Sequence, residues 1–236
     1  AADIAATVTS KDVNGNEVST NDLNAELHQA EKWEHDGDTH TFKTTNYVSG
    51  LYTIQFDYAD LAKRTATITT EEFIVDHDAP SIPEISYSKS LLDTVLSGIT
   101  FGFYNPDVTV TFTSYDAFAG VDYFTWSYEK QADASSTNVA AYEEAKLSAR
   151  QDSSDKSKYT ATVTLPLNEA EQLRGSISAL ATDKYNNASE KITDNGKIIV
   201  VDTIAPTMTV EYSEASNQVG TTLYYGNDKR EGRDHF

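Results

Sequence analysis

Val75-Asp76-His77-Asp78-Ala79-Pro80 returns as Val201-Asp202-Thr203-Ile204-Ala205-Pro206, with the two prolines 126 residues apart. Each copy is entered from an apolar β-type run, Phe73-Ile74-Val75 or Ile198-Ile199-Val200-Val201, and leaves into a segment ending in Tyr87-Ser88 or Tyr212-Ser213. Proline donates no ladder hydrogen bond and holds the preceding residue extended. The phrase therefore reads as the last strand of one β domain, a stiff joint, and the first strand of the next. A period of this size punctuated by proline implies tandem domains. The expected boundaries are 1–79, 80–205 with a polar, partly helical insertion at about 131–157, and 206–236.

Working outward, Gly50-Leu51-Tyr52-Thr53-Ile54-Gln55-Phe56-Asp57-Tyr58 carries the clearest strand pattern. Tyr52, Ile54, Phe56 and Tyr58 alternate with polar residues, so one face is buried and the other wet. A Tyr at the start of such a strand suits the tyrosine corner of immunoglobulin-like sandwiches. Asn14-Gly15 predicts a hairpin, and residues 22–33 one or two helical turns with Leu23, Leu27 and Ala30 on one face. Asp36-Gly37-Asp38 predicts a turn into a strand at about 39–45, and the last strand of this part falls at about 65–76.

In the second part, strands are predicted near 82–88, 107–114, 121–129, 158–165, 176–183 and 196–202. Val108, Val110 and Phe112 point inward, as do Tyr159, Ala161, Val163 and Leu165. Phe124, Trp126 and Tyr128 share a face, with Trp126 as the central plug of the core. Residues 139–150 read as helical. Asn168-Glu169-Ala170-Glu171 reads as an N-cap with a Glu at its third position, opening a short helix that Gly175 stops. Tyr58-Ala59-Asp60 and Ala181-Thr182-Asp183 both end a strand at an Asp that starts a turn. Beyond the second joint, Met208, Val210 and Tyr212 alternate, but 230–236 is expected to leave no room for a following strand.

Composition narrows function. The chain has 236 residues, is 39% hydrophobic and 11% aromatic, and carries a net charge of −19 from 37 acidic and 18 basic groups. That charge argues against nucleic acid or an anionic membrane as partner. Absence of cysteine excludes disulfides, thiolate metal sites and a cysteine nucleophile. No apolar run approaches the length of a membrane-spanning helix.

Enzymatic chemistry finds little support. No nucleophile elbow, HExxH or phosphate loop occurs, and residues 80–205 contain no histidine. Glu169 and Glu171 fit the cap better than an acid–base pair. His35-Asp36-Gly37-Asp38-Thr39-His40 has metal-ligand types, but Asp-Gly-Asp is ordinary turn chemistry. Asp57, Asp60, Asp76 and Asp78 gather toward one domain end, but no loop has the alternating Asp spacing of a dedicated calcium site. They read as a solvated acidic end. Neither a metal nor another cofactor is expected, and the protein reads as non-enzymatic.

Two aromatic stretches remain. Phe101-Gly102-Phe103-Tyr104-Asn105 and Asp116-Ala117-Phe118-Ala119-Gly120 place rings beside glycines in expected loops, where sandwiches commonly bind. Phe101, Phe103, Tyr104 and Phe118 are the candidate protein-binding residues, with capping of the core as the other role such rings play.

Gly50-Leu51-Tyr52-Thr53-Ile54-Gln55-Phe56-Asp57-Tyr58-Ala59-Asp60-Leu61-Ala62 resembles the GxYTxxxxYxDLAGN strand of bacterial immunoglobulin-like repeats. The two Val-Asp…Ala-Pro phrases resemble the FxVDxTAP joint of those repeats. The stretch from Gly120 through Tyr128 and Ala181-Thr182-Asp183-Lys184-Tyr185-Asn186-Asn187 resemble a companion type. Lys63-Arg64 departs from the usual Gly-Asn, which predicts a differently shaped turn. The resemblance implies an all-β chain of tandem immunoglobulin-like β-sandwich domains, extracellular on the cell wall of a Gram-positive bacterium. It implies an adhesin-like fragment that binds a host protein. Immunoglobulin is a candidate, since some similar proteins act as B-cell superantigens on heavy-chain variable domains; a stalk without ligand is a further alternative. By the same comparison residues 1–79 lack their first strands and 206–236 begin a further domain. Either these are pieces of separate domains in a longer array or they complete one another, within a chain or between chains, and the open sheet of the first is a candidate for strand addition.

Overall fold

The structure is a computed structural model that describes residues 3–37, 39–45, 47–60, 62–88, 101–104, 107–131, 141–168, 171–194, 198–201, 207–211, 215, 217–224 and 233–235. Among the described residues it is all-β apart from one α-helix and one 3-10 turn. The chain divides into two compact units, Ala1–Asp202 and Thr203–Phe236.

The first unit opens with β1 (Asp3–Lys11) and β2 (Glu17–Val18), joined by the hairpin that Asn14-Gly15 predicts. Asp12 organises that turn by accepting the Asn14 and Asn16 N–H groups on Oδ1 at 2.9 and 2.8 Å. Helix α1 (Asn21–Leu27) buries Leu23 and Leu27, as its periodicity requires. Ala30 falls outside it, in a separate exposed 3-10 turn, Ala30–Lys32. Asn24 ties α1 to the sheet: its amide accepts from Val8 N–H at 2.8 Å and donates to Val8 C=O at 2.9 Å. The helix side chain thus takes a strand's place beside β1.

Next come the hairpin β3 (Trp33–Asp36) and β4 (Thr39–Phe42), then β5 (Gly50–Ala59), β6 (Thr65–Thr69) and β7 (Phe73–Val75). The main sheet runs β2-β1-β5-β6, with β7 also on β5. The last predicted strand is therefore two strands. Its core is Ala6, Val8, Leu23, Leu27 and Tyr52, with Trp33, Phe42, Tyr47, Ile54, Phe56, Phe73 and Val75 half-buried around it. Tyr52 is buried, and its hydroxyl donates to Val48 C=O at 2.7 Å, four residues upstream. Burial then fades along the same face, and Tyr58 is 40% exposed.

Past the joint lie β8 (Glu84–Tyr87), β9 (Phe101–Tyr104), β10 (Val108–Tyr115), β11 (Val121–Lys130), β12 (Tyr142–Ser148), β13 (Arg150–Gln151), β14 (Lys158–Leu165), β15 (Leu173–Asp183), β16 (Ile192–Thr193) and β17 (Ile198–Val201). One sheet is ordered β13-β14-β10-β8 and the other β12-β11-β15-β17-β9, with β16 on β15. Pairings are antiparallel except β17 with β9, which is parallel. Both sheets feed one core. Val108, Val110 and Phe112 come from the first sheet, and Phe124, Trp126, Tyr128 and Ile177 from the second, all buried. Phe112 stacks on Phe124, with ring centroids 6.0 Å apart. This is sandwich packing.

Two helical expectations fail here. The residues from Tyr142 to Ser148 form strand β12, although Glu, Ala, Lys and Leu favour helix in isolation. Tyr142 packs on Trp126 and Tyr128, Leu147 lies opposite Phe124, and a register shift separates the two contacts. That bulge spoils the alternation by which a strand is recognised. Gly175 likewise lies inside β15 rather than ending a helix. Asn168 and Glu171 do bond to each other, Asn168 Nδ2 donating to Glu171 Oε1 at 2.8 Å, but across a turn; Tyr142 takes Glu171 Oε2 with a 2.6 Å bond. Glu169 and Ala170 lie outside the described residues.

The second unit contains β18 (Thr209–Glu211), β19 (Asn217–Val219), β20 (Thr222–Tyr224) and β21 (Arg233–His235). β18 pairs antiparallel with β21, so a short strand does form where none was expected. Met208 and Val210 are exposed.

Candidate functional site

The joint is where the most chemistry gathers. Asp76 leaves β7 and bonds forward: Oδ1 accepts Asp78 N–H at 3.0 Å and Oδ2 accepts Ala119 N–H at 2.9 Å. The β1–β2 hairpin adds Val13 N–H to Ala117 C=O at 2.9 Å, Asn14 Nδ2 to Asp155 Oδ1 at 3.1 Å, and Lys156 N–H to Asn14 Oδ1 at 3.1 Å. Residues on both sides of the Asp76–Pro80 phrase are thereby bonded to one another.

Asp116 starts the loop between β10 and β11. Its Oδ1 accepts Phe118 N–H and Gly120 N–H, both at 2.9 Å. Gly120 has φ +80, and a Cβ there would meet the Tyr159 hydroxyl at 2.1 Å, so this tight loop requires glycine. Asp116 is 6% exposed, and its Oδ2 is buried without a hydrogen-bond partner. Burial pushes its carboxyl above the ordinary range, and the Asp76 and Asp183 charges push the same way against the two N–H bonds.

Asp183 ends β15. Its Oδ1 accepts Tyr185 N–H and Asn187 N–H, both at 2.8 Å, and its Oδ2 accepts Asn187 Nδ2 at 2.8 Å. Asn187 Nδ2 also reaches Asp76 C=O at 3.4 Å. Carboxylate oxygens of Asp76, Asp116 and Asp183 all lie within 4.8 Å of one another. Like charges that close repel by roughly 3 kcal/mol per pair at an effective dielectric near 20. Among the described residues none of the three has a salt-bridge partner.

Sequence reading grouped Asp57, Asp60, Asp76 and Asp78 instead. Asp57 accepts from Thr67 and Gln55, and Asp60 pairs with Arg64 at 2.6 Å, so of these four only Asp76 belongs to the buried cluster. The partners, Asp116 and Asp183, are 40 and 107 residues further on; their common signal is an Asp at a strand end followed by a turn. His35 and His40 face each other across the β3–β4 hairpin with ring centroids 4.6 Å apart, as turn-flanking residues do.

The stretch Phe101–Tyr104 is not a loop but strand β9, at the margin of the six-stranded sheet and parallel to β17. Asn105 lies outside the described residues. Phe118 is half-buried in the Asp116 loop, at the joint. Two separate places therefore hold the four candidate binding residues. An open apolar seam of about 300 Å3 runs along the first core, lined by Val8, Leu27, Trp33, Phe42, Ile54 and Phe56. No helix among the described residues is long and apolar enough to cross a membrane.

No family model matches this chain, and no curated protein matches it.

Proposed function

We propose that this chain is a non-enzymatic segment of a bacterial cell-surface protein, built of tandem immunoglobulin-like sandwiches, that binds a host protein. What supports the immunoglobulin-like reading is strand order. Taken in chain order with β8 as A, the sheets read A-B-E-D and C′-C-F-G, with β9 beside the last strand. Trp126 sits on the strand that corresponds to C, and Tyr52 makes the hydrogen bond of a tyrosine corner.

The observation that carries binding is the place of Phe101-Gly102-Phe103-Tyr104. This aromatic, uncharged stretch forms a sheet margin, and among the described residues no strand pairs with its outer side. A margin strand offers main-chain donors and acceptors to a partner strand.

The test is binding of the chain to pooled human immunoglobulin and to Fab fragments sorted by heavy-chain family, beside a panel of host surface proteins. Saturable binding that Phe103→Ser weakens at least tenfold is expected. Binding confined to one variable-domain family, whatever the antigen, identifies antibody as the partner. Binding to no host protein leaves a spacer without a ligand of its own, and binding indifferent to Phe103→Ser and Phe101→Ser removes β9 as the binding place.

A further inference from the structure

We propose that Asp76, Asp116 and Asp183 form a calcium site that locks the joint between the first sheet and the sandwich that follows it. Three independent features of the joint converge on a cation.

The first is geometry. One oxygen from each carboxylate lies within 4.8 Å of the other two. Calcium binds oxygen at 2.3–2.6 Å, so a single ion can touch three oxygens up to about 4.5 Å from one another, and this cluster meets that with shifts of a few tenths of an ångström at most. The charged donors are all carboxylates, which suits a hard cation rather than zinc.

The second is an unsatisfied atom. Asp116 is more than nine-tenths buried, its Oδ1 is taken by two backbone donors, and its Oδ2 has neither solvent nor partner. A buried carboxylate oxygen left so is costly, and a bound cation is what would satisfy it.

The third is internal. The turn after β5 and the turn after β15 share one frame. Asp60 N–H donates to Arg64 C=O and Asp183 N–H to Asn187 C=O, while Lys63 and Asn186 both adopt positive φ, +65 and +68. In the first turn the fourth residue on is Arg64, whose Nε reaches Asp60 Oδ2. In the second it is Asn187, which is neutral. Where the first turn carries its own cation, the second carries a neutral amide, and two further carboxylates converge there.

Asp76 comes from the phrase between the two parts and Asp116 and Asp183 from the sandwich. Coordination therefore adds a bond across the joint and cancels the repulsion that burial imposes. Water and main-chain oxygens would supply the remaining ligands.

The experiment is calorimetric titration of the chelator-treated chain with calcium chloride and, separately, magnesium chloride, alongside thermal unfolding. One calcium per chain is expected, with a Kd in the roughly 10⁻⁷–10⁻³ M range that sensors and extracellular modules span. Ligand at a hundredfold excess over Kd should raise the unfolding midpoint by roughly 5–10 °C. Asp116→Asn keeps an acceptor for the loop N–H groups and removes the charge; it should unfold no earlier than the parent in chelator and lose the calcium response. Asp76→Asn, on the less buried partner, should weaken binding at least tenfold in a chain whose circular dichroism is unchanged. No saturable heat with calcium, binding indifferent to both variants, or magnesium binding of equal strength overturns the assignment.

Discussion

The turns at Asp60 and Asp183 share a backbone and differ in their setting. Both follow the longest strand of their part, and both close on the residue four positions on. Asp60 lies at an exposed end and pairs with Arg64, whereas Asp183 is 1% exposed and faces two more carboxylates. The same contrast runs through the parts that carry them. Behind Asp183 a second complete sheet covers the core; behind Asp60 a helix, a hairpin and half-buried rings do so. Two turns of the same backbone can therefore stand in different environments, and chemistry follows environment.

Truncating the core should expose this difference most strongly. Phe112→Ala removes a fully buried ring between two sheets and should cost about 3–5 kcal/mol in denaturant unfolding. Phe56→Ala, on a half-buried face, should cost about 1–2 kcal/mol. Equal losses would mean that the first sheet is as well covered as the second.

Tyr52→Phe tests whether the first part holds its corner by the hydroxyl. Losing the 2.7 Å bond to Val48 C=O should cost about 1 kcal/mol, read from the shift in urea midpoint. An unchanged midpoint would make the bond incidental.

The turns can be compared directly with glycine. Lysine tolerates positive φ less well than asparagine. Lys63→Gly should therefore stabilise by about 0.5 kcal/mol after the entropic cost of glycine, while Asn186→Gly should be close to neutral. Exchange of charge gives the complementary test. Arg64→Asn should leave the midpoint unresolved from the parent, since an exposed pair contributes little.

Titration should run in opposite directions at the two places. The folded pKa of Asp116 is raised above its ordinary 3.8, so its contribution favours folding below that value and is lost as pH rises through the folded pKa. Asp60 is held below 3.8 by the backbone and side chain of Arg64, so its contribution is present above 3.8 and is lost as pH falls through its folded pKa. In chelator, Asp116→Asn should flatten the decline in stability that begins above pH 3.8, and Asp60→Asn should flatten the decline below it. Unfolding midpoints across pH 2–7 would measure both.

Much was legible in the chain itself. Alternation placed the buried faces of β10, β11 and β14, and that of β5 as far as Phe56 but not at Tyr58, because period-two burial repeats over many residues. Tyr52 and Trp126 took the structural places their neighbours imply. The turn at Lys63 shares its positive φ and its closing main-chain hydrogen bond with the turn at Asn186, a likeness the two sequences do not announce. The strand β12 was misread because its bulge erases the period and its residues favour helix. Phe101–Tyr104 was misread because a strand at a sheet margin declares itself only through its parallel pairing with β17, almost a hundred residues later.

What the sequence by itself determined is the all-β character and most of the inward faces, since those rest on local spacing and on the physics of adjacent residues. Only tertiary structure decided which acidic residues meet. Asp76, Asp116 and Asp183 are separated by 40 and 67 residues, and the strand end and turn that mark them mark Asp60 as well. It is the joint folding back on two strand ends that removes them from water and brings their charges together.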